Sequence, residues 1–86
     1  MEIHQLEYFI AIVETGGFSR AAERCNVTQP SLSQQIKKLE TEIGHLLFDR
    51  LGRTVVLTDA GRMLVPKART ILEEIHGIKA DIHSNI

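Results

Sequence analysis

Between Phe18 and Lys37 the chain encodes two helices with only a few residues to separate them, and that spacing restricts the fold more than any other feature. In the run FSRAAERCNVTQPSLSQQIK, Ser19 is suited to N-cap the first helix by accepting from the free N–H groups of its opening turn, with Phe18 stapling the entry to the core. Ala21, Ala22 and Cys25 put small side chains on one face, which lets a second helix cross closely. Asn26 tolerates the left-handed conformation that ends a helix, and Val27 plugs the turn into the core. Thr28 caps the next helix, and Pro30 falls in its first turn, where a missing N–H costs nothing. Two helices joined this tightly make a helix-turn-helix candidate over residues 18–37.

The second of these helices has two distinct faces. Leu32, Ile36, Leu39 and Ile43 recur at i, i+4, i+7 and i+11 and define its buried stripe, and Gly44 stops it. Pro30, Gln34, Lys37, Lys38 and Thr41 lie roughly opposite, with Ser31 and Ser33 on the flanks. Serine, glutamine and lysine are side-chain types that reach base edges and phosphates. Taken alone, this polar face also suits a helical protein–protein module whose third helix is simply solvated.

What flanks the pair separates these readings. Upstream, Leu6, Phe9, Ile10 and Val13 at i, i+3, i+4 and i+7 predict an amphipathic helix over residues 4–15, ended by Gly16-Gly17. Downstream, Leu47 to Leu51 and Thr54 to Leu57 are short β-prone runs around Gly52-Arg53, a hairpin with a basic tip. Helix, helix-turn-helix and hairpin form the order of a winged helix-turn-helix, in which a wing arginine enters the narrow minor groove of DNA. Thr58-Asp59 then caps a long final helix. Its stripe of Leu64, Ala68, Ile71, Leu72, Ile75, Ile78 and Ile82 continues along a rod of about 40 Å and either folds back on the small domain or pairs with a second copy. Because the rod is longer than a small domain covers, homodimerisation is the favoured assignment. Pro66 inside the pattern predicts a kink or a weak turn near Arg62 to Val65. The fold class is mainly α: a winged helix-turn-helix of three helices and a two-stranded wing over residues 1–58, followed by a linker and dimerisation helix over 59–86.

Charge supports this placement. The net charge is only −1, yet residues 1–17 carry Glu2, Glu7 and Glu14 without a cation, and residues 59–86 balance four against four. Residues 18–58 hold Arg20, Arg24, Lys37, Lys38, Arg50 and Arg53 against four carboxylates, so the modest positive excess sits in the helix-turn-helix and wing. No apolar run approaches the roughly 20 residues of a membrane span. The single cysteine, Cys25, fits a reducing cytoplasm and reads as a small buried hydrophobe at helical spacing with Ala21 and Ala22. His4, His45, His76 and His83 show no metal-ligand spacing, and no nucleophile motif, phosphate loop or paired acid and base is present. The sequence therefore implies neither an enzyme nor a cofactor.

The run AAERCNVTQPSLSQQIKKLETEIGHLLFDRLGRTVVLTDAG, with Leu6-Glu7-Tyr8-Phe9 ahead of it, resembles the N-terminal DNA-binding domain of LysR-type transcriptional regulators, and the final helix resembles that family's linker helix. The resemblance covers nearly the whole chain. It implies a sequence-specific bacterial regulator that binds promoter DNA as dimers, assembled into tetramers in full-length proteins. It places Gln29, Pro30, Ser33 and Gln34 at the major groove, Thr28, Ser31, Lys37 and Arg50 on phosphates, and Arg53 at the minor groove. Many relatives carry arginine at the position of Gln34. Arginine prefers guanine and glutamine prefers adenine, so that base contact does not transfer. Relatives also carry a small-molecule-sensing domain beyond the linker helix. This chain has no effector site of its own and reads as either a separated DNA-binding part or a short relative.

Overall fold

The computed structural model describes residues 1–50 and 54–86. Helix α1 spans Ile3–Thr15, α2 Phe18–Cys25 and α3 Gln29–Ile43; strands β1 (Phe48–Asp49) and β2 (Val56–Leu57) form the wing, and α4 runs Asp59–Asn85. Each helix of the first three ends on a residue in the left-handed region: Gly16 at φ 80°, Asn26 at φ 59° and Gly44 at φ 85°. Thr28 caps α3 as its position predicts, its hydroxyl accepting from the Ser31 N–H at 3.3 Å. The cap of α2 differs from expectation. Gly17, in extended conformation, is the N-cap and Ser19 lies inside the first turn, because the helix begins at Phe18, two residues earlier than a Ser19 cap requires.

The core is where the stripes meet. Phe9, Ile12, Leu32, Ile36, Leu39 and Leu47 are fully enclosed, and Ala21 and Ala22 let α2 approach α1 and α3. Phe48 joins them from the wing, its ring centroid 5.3 Å from that of Phe9 and 5.7 Å from that of Phe18.

The wing is an antiparallel pair with Phe48 opposite Leu57 and Asp49 opposite Val56. It is shorter than the predicted hairpin arms, and its base is anchored at Leu47. The Leu47 N–H donates to the Glu40 carboxylate at 2.7 Å, and its carbonyl accepts from the Thr58 N–H at 3.0 Å. Leu47 thus ties the wing to α3 and to the cap of α4. The predicted tip, Leu51 to Arg53, lies outside the described residues.

Helix α4 passes through Pro66 without interruption, which corrects the weak turn predicted there. Proline removes one i→i−4 bond, that to the Arg62 carbonyl, while Leu64, Val65 and Ala68 hold both sides of the site against the core. The apolar stripe of α4 also divides in two. Ala68 and Leu72 are buried in the chain's own core, against α1, so the assignment of these two to a dimer surface is corrected. Ile71, Ile78 and Ile82 remain 42%, 55% and 51% exposed, and Ile75 lies between the two groups.

Candidate nucleic-acid interface

Helix α3 is held at both ends and along its inner face. At its first turn Thr28 and Pro30 fix the start; in its middle Gln35 reaches α1, its side-chain oxygen accepting from Gln5 Nε2 at 3.1 Å, with His4 Nε2 also 3.1 Å away. At its C-terminal end the Glu40 carboxylate secures the chain into the wing through Leu47. Gln5 and Glu40 are buried polar groups with partners, which orient one helix against another more sharply than apolar packing does. Both were missed from sequence. The signal was present in each: a polar residue at i−4 from Phe9 and another at i+4 from Ile36, inside otherwise apolar stripes.

With α3 so fixed, its outer face is the predicted polar one. Thr28, Gln29, Pro30, Ser31, Gln34, Lys37, Lys38 and Thr41 are exposed and Ser33 is half-buried. Gln29 Nε2 donates to Ser33 Oγ at 3.2 Å, linking two predicted base-reading residues one turn apart. Ser33, Gln34, Lys37 and Arg50 line one groove between α3 and the wing, together with Leu46, Phe48 and the carboxylates Glu40 and Asp49. The structure thus brings four of the predicted site residues onto one surface, with Thr28 to Ser31 at the α3 N-terminus. Arg53 lies outside the described residues.

Some cations of the chain are paired and others are not, and Arg20, Lys67 and Lys79, away from this face, have no carboxylate partner among the described residues. Arg24 pairs with Glu14 at 2.5 Å, Arg62 with Asp59, and Arg69 stands 3.7 Å from Glu14. Lys37, Lys38 and Arg50 have no carboxylate partner among the described residues. Their charge is therefore available to a polyanion, which the neutral total of the sequence concealed. Cys25 is half-buried on the opposite side. Burial and the neighbouring Glu7 raise its thiol above the ordinary 9.0, partly offset by Arg24, so it stays protonated near neutral pH. Among the described residues no group of His, Cys, Asp and Glu is arranged to hold a metal ion, and no helix is long and apolar enough to cross a membrane.

Comparison with known proteins agrees with this geometry. The family model described as bacterial regulatory helix-turn-helix protein, lysR family, matches residues 3–62. The DNA-binding transcriptional dual regulator OxyR of Escherichia coli (strain K12) is 49% identical over 79 residues, covering 92% of this chain and 26% of that protein. The chain spans about a quarter of the length of the first curated relatives it matches. Among solved structures, the BenM DBD in its complex with catB site 1 DNA superposes with a TM-score of 0.92 at 34% identity, over 98% of this chain and 94% of that one. The CbnR DBD in complex with DNA gives 0.86 at 40% identity, over 98% and 95%. The chain belongs to the LysR family of bacterial helix-turn-helix transcription regulators and has the winged-helix fold of that family's DNA-binding domains.

Proposed function

We propose that this chain is the DNA-reading part of a promoter-binding regulator, acting as a symmetric dimer with α3 in the major groove and the wing at the adjoining minor groove. The observation that carries this reading is the single surface on which Ser33, Gln34, Lys37 and Arg50 meet, with both cations lacking a carboxylate partner among the described residues. Gln29, Pro30, Ser33 and Gln34 contact base edges. Thr28, Ser31, Lys37 and Arg50 hold phosphates, helped by the N-termini of α2 and α3, and Arg53 enters the minor groove. Gln34 favours adenine through its paired donor and acceptor. The DNA complexes of the BenM and CbnR domains support transfer of this mode to a chain with the same backbone.

Dimerisation is assigned to the exposed part of α4. Ile71, Ile75, Ile78 and Ile82 are spaced 4, 3 and 4 residues apart, the step of a coiled-coil seam. Division at residue 58, tetramers in a longer protein, a cytoplasmic location and the absence of catalysis or of an effector site within these residues belong to the same reading. The peroxide response in the names of several relatives is not assigned to Cys25, whose thiol burial shifts toward the protonated form, away from the reactive thiolate.

The test is a salt titration of binding to duplex DNA. Lys37→Ala and Arg50→Ala each flatten the slope of log K against log salt by about 0.9, the value for one phosphate contact. Gln34→Ala changes base preference at one position of a selected site while leaving that slope intact. Binding that is insensitive to salt in the unaltered chain refutes the proposal.

A further inference from the structure

The guanidinium of Arg50 lies over the ring of Phe18, with Cζ 4.2 Å from the ring centroid. Phe18 is the first residue of α2 and is itself immobilised, 8% exposed and packed edge-on against Phe48. Arg50 has no hydrogen-bond or ion-pair partner among the described residues, so this ring is what locates its head group. A guanidinium carries its five N–H donors in its own plane. Contact with the ring restrains the group without using any of those donors in a hydrogen bond. Arginine otherwise loses rotamer entropy when it is fixed on a ligand.

We propose that Phe18 is a positioning residue for DNA binding: it holds Arg50 beside Ser33, Gln34 and Lys37 in the orientation that engages a phosphate. Resting on the interface proposed above, the inference adds that one residue of the helix-turn-helix, buried and never touching DNA, sets the affinity contributed by the wing. It also gives α2 a part beyond bracing α3, since the helix that opens at Phe18 presents its first side chain to the wing arginine.

The experiment is a double-mutant cycle on the full chain, read as affinity for a random-sequence duplex of 40 base pairs, a probe that reports phosphate contacts alone. Phe18 is replaced by leucine, which stays apolar and removes the ring, and separately by pentafluorophenylalanine, which keeps the shape and reverses the electrostatics of the ring face. Far-UV circular dichroism sets a temperature at which every variant is folded. With Arg50 present, each replacement weakens binding about two- to fivefold, the worth of an exposed cation–π contact. In the Arg50→Ala background neither replacement weakens it further, and in each background the replacement of Phe18 leaves that background's own salt slope unchanged, since it removes no charge. Equal losses in the two backgrounds, or no loss in either, overturn the assignment of Phe18. Failure of the unaltered chain to bind the duplex, or an Arg50→Ala variant that binds as well as the parent, overturns the interface itself and the inference with it.

Discussion

Gly61 and Gly77 lie in one helix, and the structure predicts opposite outcomes for the same substitution at the two. A Cβ at Gly61 would stand 2.2 Å from the Leu47 carbonyl oxygen, 2.7 Å from Leu57 Cδ2 and 3.2 Å from the Leu47 carbonyl carbon. Carbon and a carbonyl oxygen ordinarily meet no closer than about 3.3 Å, so the start of α4 must withdraw from the wing by about 1 Å. Two hydrogen bonds resist this: Thr58 N–H to Leu47 O at 3.0 Å and Thr58 Oγ1 to Leu46 O at 2.6 Å. Overpacking of this kind costs about 1–3 kcal/mol, and each weakened hydrogen bond adds up to about 1 kcal/mol. Against this stands the helical advantage of alanine, at most about 1 kcal/mol and less in a first turn. Strain wins, by about 2–3 kcal/mol. In a domain of this size that lowers the Tm of Gly61→Ala by about 10–20 °C. At Gly77 the nearest atom a Cβ would meet is Asp81 Oδ2, at an ordinary 3.6 Å. There only the propensity gain remains, and Gly77→Ala raises Tm by about 2–6 °C. Circular dichroism melts at one fixed protein concentration decide the matter, since dimer melting depends on concentration. A Gly61→Ala variant that melts with the parent, or a Gly77→Ala variant as damaged as Gly61→Ala, refutes the reasoning.

Further outcomes follow from the same contacts. Ile78→Asp raises the dimer dissociation constant by about 100-fold or more, because a two-fold interface counts each substitution twice; sedimentation gives the constant and circular dichroism an unchanged helical signal. Leu72→Ala, by contrast, costs about 2–4 kcal/mol in denaturant unfolding, because this side chain is 7% exposed and belongs to the chain's own core. Glu40→Ala leaves the buried Leu47 N–H unpaired and costs about 1–3 kcal/mol, whereas Glu40→Gln keeps an acceptor and costs less; a shared denaturation midpoint for the two contradicts the assigned contact. Because burial raises the Cys25 thiol, its folded state favours the neutral form. Alkylation by iodoacetamide is therefore slower in the folded chain than in urea at neutral pH, and its rate levels off at a higher pH in the folded chain than in urea.

Stripes and caps were legible in the sequence because each is set by neighbours within one or two turns. Leu32, Ile36 and Leu39 are wholly buried as their spacing requires, and Asn26, Thr28 and Gly44 punctuate the helices where their side chains suit the backbone. What escaped depends on partners distant in the chain. Arg50 reads as one more solvated cation until the fold sets Phe18 beneath it, thirty-two positions away in sequence. Gly61 looks like an unremarkable helical glycine until the Leu47 carbonyl is brought against it. The α4 stripe could be counted but not divided, since Ala68 and Leu72 differ from Ile71 and Ile78 only in which side of the rod α1 covers. Ser19 was misplaced as a cap for a local reason: an extended glycine before Phe18 serves the same backbone requirement without a side chain.

The continuity of α4 gives the molecule a built-in ruler. Its near half is packed into the domain's core at Ala68 and Leu72, and its far half carries the isoleucines of the proposed dimer seam, within one unbroken helix. Each residue of helix turns the seam by about 100° and advances it by about 1.5 Å. One residue inserted after Glu73 would aim Ile75, Ile78 and Ile82 away from the face they share with Ile71. Seven inserted residues would return them to within about 20° of their original bearing, about 10 Å further out. The separation of two half-sites on DNA is, on this view, a length written in the turns of one helix and adjustable in steps of seven.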